Sequence, residues 1–507
     1  MSIPHAVFVL LLINLGLVLF LSISQIIVAL LPRFQPKTKK LPLQPFVSVL
    51  IPSYNEPPAI LMQTLEKLSH LEYENFEVLI IDNNTKDPEI WKPVQNFAQA
   101  LGNKFRFFHV DPLSGFKAGA LNYALTQVNL KSEYAAIIDA DYAVHPDFLE
   151  TALLYFIEEK IALVQFPQYY RNATPENQPV ADEYRHFFGI YMNMANHFDC
   201  VPSTGTVSVY RVNALRNIGG FRKEALTEDA DVGLRLYGAG FRGVYVDRPA
   251  GFGLMPYDLE AYRKQKWRWA YGNAQSIKTL FLLFGKIPFR SWFGFLVHLT
   301  AWDHLNFLPF AVLGAYSILL IPAVSITSLH RQLLSLASLS IFVTIVSKLF
   351  LFLVTLRGSK HSISRSFKAF VIHIGMTLTY SKAWLACLFG VKSAFERTNK
   401  FILAKIPSLL KNSLSELILG IWFMVGAVEA LLWGTRTITP FAFLVSSLSL
   451  LSIYYVYWEI TPTKIYSKKK LADLEIKYKN FLNSSNQTKT DSYGYNLAGT
   501  IVGKNPA

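Results

Sequence analysis

The chain has 507 residues, of which 51% are hydrophobic and only 17% charged, with 38 Phe and 25 Tyr. Disorder is excluded for most of it, because disordered chains are poor in apolar and rich in charged residues. Cys200 and Cys387 are the only cysteines, which excludes a disulfide-stapled secreted scaffold. The formal charge of +14 would suit a nucleic-acid binder, but the basic residues cluster beside apolar runs. Arg33, Lys37, Lys39 and Lys40 follow the first run; Arg357, Lys360, Arg365 and Lys368 follow a later one; Lys464, Lys468, Lys469 and Lys470 follow the last. Such clusters mark the cytoplasmic side of a membrane. The charge is therefore expected to meet lipid headgroups and anionic substrates, and no nucleic acid.

In chain order, residues 6–31 are apolar except for Asn14, Ser22, Ser24 and Gln25, long enough for an uncleaved anchor. The asymmetry of basic residues puts the N-terminus outside and residue 40 onward in the cytoplasm, so residues 1–40 form a transmembrane anchor. Residues 41–257 alternate β-branched runs with helical patterns. Strands are predicted at 46–51, 77–81, 105–110, 135–138 and 162–166, and helices at 59–71 and 116–128. That alternation means a mostly parallel sheet covered by helices, whose ligands bind where the strands end. Residues 258–304 mix aromatic and basic side chains, as helices lying along a membrane surface do. Residues 305–460 supply further spans near 305–326, 333–356, 414–432 and 441–458, with 367–390 interfacial. Five spans leave every basic cluster inside. Lys348 and Glu429, within spans, are read as paired or snorkelling rather than lining a polar path. Residues 461–507 form a cytosolic tail, disordered from 484.

Three stretches can carry chemistry. Asp139-Ala-Asp141 ends a predicted strand and offers hard oxygen ligands to Mg2+ or Mn2+ beside a phosphate, and Asp82 ends the neighbouring strand. A solvated turn would explain either alone. Thr227-Glu228-Asp229 precedes an amphipathic helix; a cap accounts for one or two acids, but Glu228, Asp229 and Asp231 together exceed it. A carboxylate held there could act as general base toward a hydroxyl. In Gln265-Lys-Trp-Arg268-Trp269, Trp269 suits the C–H face of a sugar and Arg268 a diphosphate, although a membrane-surface helix would show the same residues.

The order Asp82, Lys117, Asp139/Asp141, Gln165-Phe-Pro-Gln168, Thr227-Glu-Asp229, Gln265-x-x-Arg268-Trp269, followed by spans, resembles the membrane-embedded, processive family 2 glycosyltransferases, the group of cellulose, hyaluronan and related β-glucan synthases. Pro52-Ser-Tyr-Asn-Glu-Pro57 and Phe116-Lys-Ala-Gly-Ala-Leu-Asn122 are similar to its nucleotide-facing segments. The resemblance covers about residues 45–400. It implies a GT-A-like (Rossmann-like) α/β cytosolic domain inserted in an α-helical multi-pass membrane domain of a bacterial inner membrane. It further implies that Tyr54, Glu56 and Asp82 bind uridine, and that Lys117, Asp139, Gln265 and Arg268 hold the nucleotide-sugar. Asp141, with Asp139, takes the Mg2+ or Mn2+, Asp229 beside Glu228 is the base, and Trp269, Thr204 and Gly205 meet the acceptor. Phe395, Thr398 and Lys400, within 391–401, resemble the gating loop, with Arg397 where Val is usual.

One base and no second nucleophilic carboxylate imply a single displacement, giving a β-linked product from an α-linked UDP-sugar. Two departures keep the linkage open: the tail after Trp458 is too short for a cyclic-dinucleotide-binding domain, and Val201-Pro-Ser-Thr-Gly-Thr206 lacks the Cys of cellulose synthases. The expected function is β-glycan synthesis from a UDP-sugar, UDP-glucose foremost, coupled to translocation, with export subunits as candidate partners. The alternative is transfer of one sugar to a membrane lipid, as ceramide glucosyltransferase-like enzymes do. A membrane scaffold or transporter with a decayed enzyme domain is opposed by the intact acidic set.

Overall fold

A computed structural model describes residues 3–40, 44–256, 258–302, 307–319, 328–357, 362–391, 413–432 and 438–487. The β-branched runs form β1 (Phe46–Ser53), β2 (Phe76–Asn83), β3 (Phe105–Val110), β4 (Ser132–Ile137), β6 (Ile161–Gln165), β8 (Ser208–Arg211) and β9 (Arg242–Tyr245). They make one sheet of order β3-β2-β1-β4-β8-β6-β9. The strands β1 to β4 are parallel, β6 and β9 pair in parallel, and β8 runs antiparallel between β4 and β6. The predicted mostly parallel sheet is thus a mixed one. A smaller sheet joins β5 (Ala143–Val144), β7 (Tyr169–Tyr170) and β10 (Gly251–Gly253) in the order β5-β10-β7.

Period-two alternation sends the side chains of one strand to two cores. Val47, Val49 and Ile51 pack on the face that receives Leu61 and Leu65 of α2 (Pro58–Ser69) and Phe97 of α3 (Pro88–Ala100). Leu50, Leu79 and Ile81 face the other way, onto Leu121 and Ala124 of α4 (Phe116–Gln127). Each fully buried aliphatic side chain of this kind contributes about 1.5–3 kcal/mol. The register sets Ser53 beside Asp82 and Leu50 beside Ile137, so β1, β2 and β4 all release their chains at one edge.

Beyond α5 (Phe148–Leu153), α6 (Gln178–His186) passes through a π-helical turn at 187–191 into α7 (Met192–Phe198). Then follow α8 (Val212–Asn217), α9 (Glu228–Gly238), α10 (Leu259–Leu282), whose start is capped by Asp258, and α11 (Phe289–Leu299).

Among the described residues, four helices or helix segments are long and apolar enough to cross a membrane: α1 (Ile3–Leu30), α13 (Ser328–Thr355), α16 (Leu414–Leu432) and the Thr439–Ile460 part of α17 (Thr439–Gln487). The expected span at 305–326 is described only as α12 (Phe307–Leu319), shorter and apolar, with 320–327 outside the described residues. Residues 362–388 form α14 (Ser362–Ile374) and α15 (Thr377–Leu388), broken at Gly375 and each shorter than a span. The Lys348 ammonium donates to the Tyr191 hydroxyl and the Ala301 carbonyl, both at 3.0 Å, while Glu429 Oε2 is buried without a hydrogen-bond partner among the described residues.

One expectation is corrected. Residues 484–487, placed in a disordered tail, continue α17 as helix. That helix returns to the sheet domain, where Tyr478 packs edge-on to Phe97 and donates to Glu66 at 2.6 Å, and Lys477 pairs with Glu66 at 2.7 Å.

Candidate active site

A cavity of about 220 Å³ opens at the edge where β1, β2 and β4 end. On one side the loop after β1 supplies Tyr54 and Glu56. The Asn55 N–H donates to Thr85 Oγ1 at 2.9 Å, and Thr85 donates to Asp82 Oδ1 at 2.6 Å, tying this loop to the end of β2. Asp82 itself lies just behind the residues that line the cavity. Its second oxygen bonds His109 Nδ1 at 2.7 Å and only 4% of the residue is exposed; burial pushes its carboxyl up, against Thr85 and His109. Asn83 and Asn84, which no sequence motif singles out, line the wall instead.

The floor comes from α4 and the turn after β4. Lys117, in the first turn of α4, donates to Asp139 Oδ1 at 2.7 Å and to the Gly205 carbonyl at 2.8 Å, and lies 3.7 Å from Glu228 Oε1. Burial would lower its ammonium, but Asp139, Glu228 and Asp229 together raise it. Asp141 Oδ2 accepts the Leu254 N–H at 2.8 Å, which fixes the carboxylate's orientation. Gln165, fully buried, spans the loop at 204–206: its Nε2 donates to the Thr206 carbonyl at 2.9 Å and its Oε1 accepts the Thr204 N–H at 2.9 Å. Gln168 holds the Thr204 carbonyl at 2.8 Å. Gly205 adopts φ of +80°, and a Cβ there would stand 2.7 Å from Asp229 Oδ2 and 3.2 Å from Lys117 Nζ, so the loop passes where only glycine fits.

Glu228 and Asp229 begin α9, where the helix N-terminus favours negative charge. Both face the cavity, whereas Asp231 is taken by Arg235 at 2.6 Å and Arg222 at 3.2 Å. Burial pushes Glu228 up to about 7, against the pull of Lys117, and raises Asp229 in the same way. The Ala230 N–H donates to Asp229 Oδ1 at 2.9 Å.

Gln265, Arg268 and Trp269 of α10 close the remaining wall. Gln265 accepts from the Tyr184 hydroxyl, and Trp269 stands edge-on to Tyr184 with ring centroids 5.7 Å apart. Between them Lys266 is fully buried. Its ammonium bonds Glu183 Oε2 at 2.5 Å and lies over the rings of Tyr184, Tyr262, Trp269 and Trp302 at 4.3–5.2 Å. Glu183 Oε1 meets His373 Nδ1 of α14 at 3.0 Å. Nothing in the local sequence marks this lysine as interior. A second cavity, about 60 Å³, shares Gln168, Thr204, Asp229 and Trp269 with the first and is walled by Phe187, Trp302, Phe295 and His298. Asp229 and Trp269 therefore stand between two spaces.

Of the expected residues, Tyr54, Glu56, Lys117, Asp139, Asp141, Thr204, Glu228, Asp229, Gln265, Arg268 and Trp269 line the larger cavity; Gly205 backs it through Lys117, and Asp82 is set behind. Phe395, Thr398 and Lys400 lie outside the described residues. Among the described residues no group of three His, Cys, Asp or Glu side chains is arranged to hold a metal. Asp139 and Asp141 nonetheless fit Mg2+ or Mn2+: ions of this kind take one or two carboxylates and complete their shell with phosphate oxygens and water.

The sequence profile described as "Glycosyltransferase like family 2" matches residues 44–272. A UDP-forming cellulose synthase of Dictyostelium discoideum, in its catalytic chain, is 32% identical over 186 residues, which is 35% of this chain and 18% of that protein. The UDP-forming cellulose synthase catalytic subunit of Komagataeibacter sucrofermentans is 30% identical over 271 residues, 52% of this chain and 35% of the relative. The matched segment thus spans about a third or less of these curated relatives. In fold, the chain is similar to the mannosyltransferase PcManGT from Pyrobaculum calidifontis in complex with GDP-Man and Mn2+, with a TM-score of 0.52 at 18% identity, covering 77% of this chain and all of that one.

Proposed function

Residues 44–272 form a family 2 glycosyltransferase domain of GT-A-like fold, and on that footing we propose that the chain is an inverting hexosyltransferase extending a β-linked polysaccharide from a UDP-sugar, UDP-glucose foremost. One observation carries the reading. Asp229 stands on the wall shared by two cavities, with Lys117, Asp139, Asp141 and Arg268 lining the larger one and aromatic rings lining the smaller.

The larger cavity would take the donor, with Tyr54, Glu56 and the Asn83–Asn84 edge toward the base. Lys117 and Arg268 would meet the diphosphate, where fixed positive charge offsets the charge that develops as the C1–O bond breaks and the diphosphate leaves with the electron pair. Mg2+ or Mn2+ held by Asp139 and Asp141 would supply further positive charge beside the same phosphates. From the smaller cavity an acceptor hydroxyl, its ring against Trp269, would attack C1 from the opposite side and give its proton to Asp229. Burial raises Asp229, making it a better proton acceptor than an exposed aspartate, and Lys117 keeps it from rising further. A single displacement of this kind inverts the anomeric centre and yields a β-linkage.

The apolar helices support a multi-pass membrane protein, and the reading sets its catalytic domain on the cytoplasmic face of a bacterial inner membrane, the side on which the basic clusters fall. In this reading the spans pass the glycan outward, and export subunits would receive it. The test uses membranes carrying the full chain, incubated separately with labelled UDP-glucose, UDP-N-acetylglucosamine and GDP-mannose, with the product sized and its anomeric configuration read by NMR. A high-mass β-linked product from UDP-glucose is expected. A single sugar on an extractable lipid would replace the polymerase reading with lipid glycosylation, and a retained configuration would refute the displacement.

A further inference from the structure

Away from the active site, a third cavity of about 90 Å³ opens where α1 and α13, packed side by side, both end. Its walls are the last turns of these two helices, the π-helical turn at 187–191 and α7, and two guanidinium side chains, Arg33 and Arg357, flank it. Arg33 is positioned from both sides. The Pro32 carbonyl accepts a hydrogen bond from His197 Nε2 at 2.6 Å, and the Phe34 N–H donates to Asn193 Oδ1 at 3.2 Å, with the Phe34 ring edge-on to His197. Arg33 keeps a 3.4 Å contact with Asp247, while Arg357 forms no ion pair among the described residues. Gly189 of the π-turn leaves the space open: a Cβ there would meet only Thr355 Cγ2, at 3.9 Å.

We propose that this cavity binds the phosphate of an anionic phospholipid headgroup. Its volume of about 90 Å³ exceeds the ~10–15 Å³ that a cavity needs to hold one water, which leaves room for a small polar group such as a phosphate. Its depth is set by the ends of two helices long enough to span the bilayer, which is where headgroups lie. Two arginines at that level, one from each helix end, form the fork-like donors that phosphate oxygens accept, and basic pockets between spans at this surface suit anionic headgroups. The helix C-termini would repel an anion by their dipoles, so the arginines carry the site. The inference rests on α1 and α13 crossing the membrane and is independent of sugar transfer. The π-turn that walls this cavity through Gly189 and Ile190 also presents Phe187 and Phe188 to the smaller active-site cavity, so a bound headgroup would brace the acceptor wall.

The experiment uses the purified full chain in detergent micelles doped with phosphatidylglycerol or phosphatidylcholine, with retained lipid counted by native mass spectrometry. Phosphatidylglycerol is expected to be retained selectively. Arg33→Gln and Arg357→Gln should each weaken it about fivefold, and the double variant about 30-fold, at one favourable lipid contact per arginine. Gly189→Leu, which fills the cavity and leaves both charges, should also abolish selective retention. Equal retention of the two lipids, or undiminished retention by the double variant or by Gly189→Leu, would overturn the proposal. Displacement of phosphatidylglycerol by modest inorganic phosphate would overturn the lipid assignment and leave a free-anion site. Sugar transfer assayed on the same samples reports separately on the enzymatic reading.

Discussion

Replacing Lys266 with Met tests how the acceptor wall is held. Lys266 and Glu183 are both fully buried, joined at 2.5 Å, and Glu183 also accepts from the Tyr262 hydroxyl at 2.8 Å and meets His373 at 3.0 Å. Burial pushes the Glu183 carboxyl up, but Lys266 and His373 outweigh it and hold the group down to about 2. Removing one partner of a buried pair costs about 3–5 kcal/mol, because the other charge is left uncompensated. The pH dependence follows from the sign of the shift. A carboxylate held below its usual 4.5 contributes stability that is present above that value and lost as pH falls toward 2. In Lys266→Met the carboxyl loses its main counter-charge and rises, so the penalty is greatest at neutral pH and shrinks in acid. Thermal unfolding of the detergent-solubilised chain should show Lys266→Met and Glu183→Gln each strongly destabilised. The double variant, which buries no unpaired charge, should recover much of the loss. Wild-type stability of Lys266→Met at pH 7, or additive losses in the double variant, would show that the buried pair does not hold this wall.

Two further outcomes follow from the donor cavity. Gly205→Ala forces a side chain into a positive-φ position 2.7 Å from Asp229 Oδ2, and displacement of that carboxylate by part of an ångström should lower turnover about a hundredfold with the fold retained, as circular dichroism and initial rates would show. The rate should rise with pH along a limb set by the Glu228–Asp229 pair, displaced above the ordinary carboxylate range of about 4 because burial raises both groups, with Glu228 near 7. A single-turnover profile already flat above about pH 5 would contradict this.

Most of the sheet was legible because its strands are short β-branched runs ended by chemistry-bearing residues: β1 to β4 and β6 fall within two or three residues of their predicted positions. β8 was not, since Ser208–Arg211 is four residues long and its antiparallel insertion between β4 and β6 depends on contacts distant in sequence. Tyr54, Glu56, Lys117, Asp139, Asp141, Glu228 and Asp229 converge because they follow a strand or start a helix at one sheet edge, a consequence of topology that spacing can suggest, whereas Gln265, Arg268 and Trp269 reach the same cavity from the interior of α10. Asp82 ended its strand as expected, yet His109 on β3 and Thr85 on the following loop engage it, and neither partner is visible from Asp82's own neighbourhood. The caged Lys266 was equally hidden: its position within an aromatic, basic helix reads as surface, and it is buried by α6, α14 and Trp302 folding against α10.

The proposed mechanism gives Asp229, which lines both cavities, the role of base. Asp229→Asn is therefore compared with the unaltered chain for UDP-glucose binding by calorimetry and for sugar transfer in a single turnover. Donor affinity should stay within a few-fold of the original while transfer falls at least about a thousandfold, the scale on which a positioned base contributes. Transfer surviving near its original rate would remove Asp229 from that role.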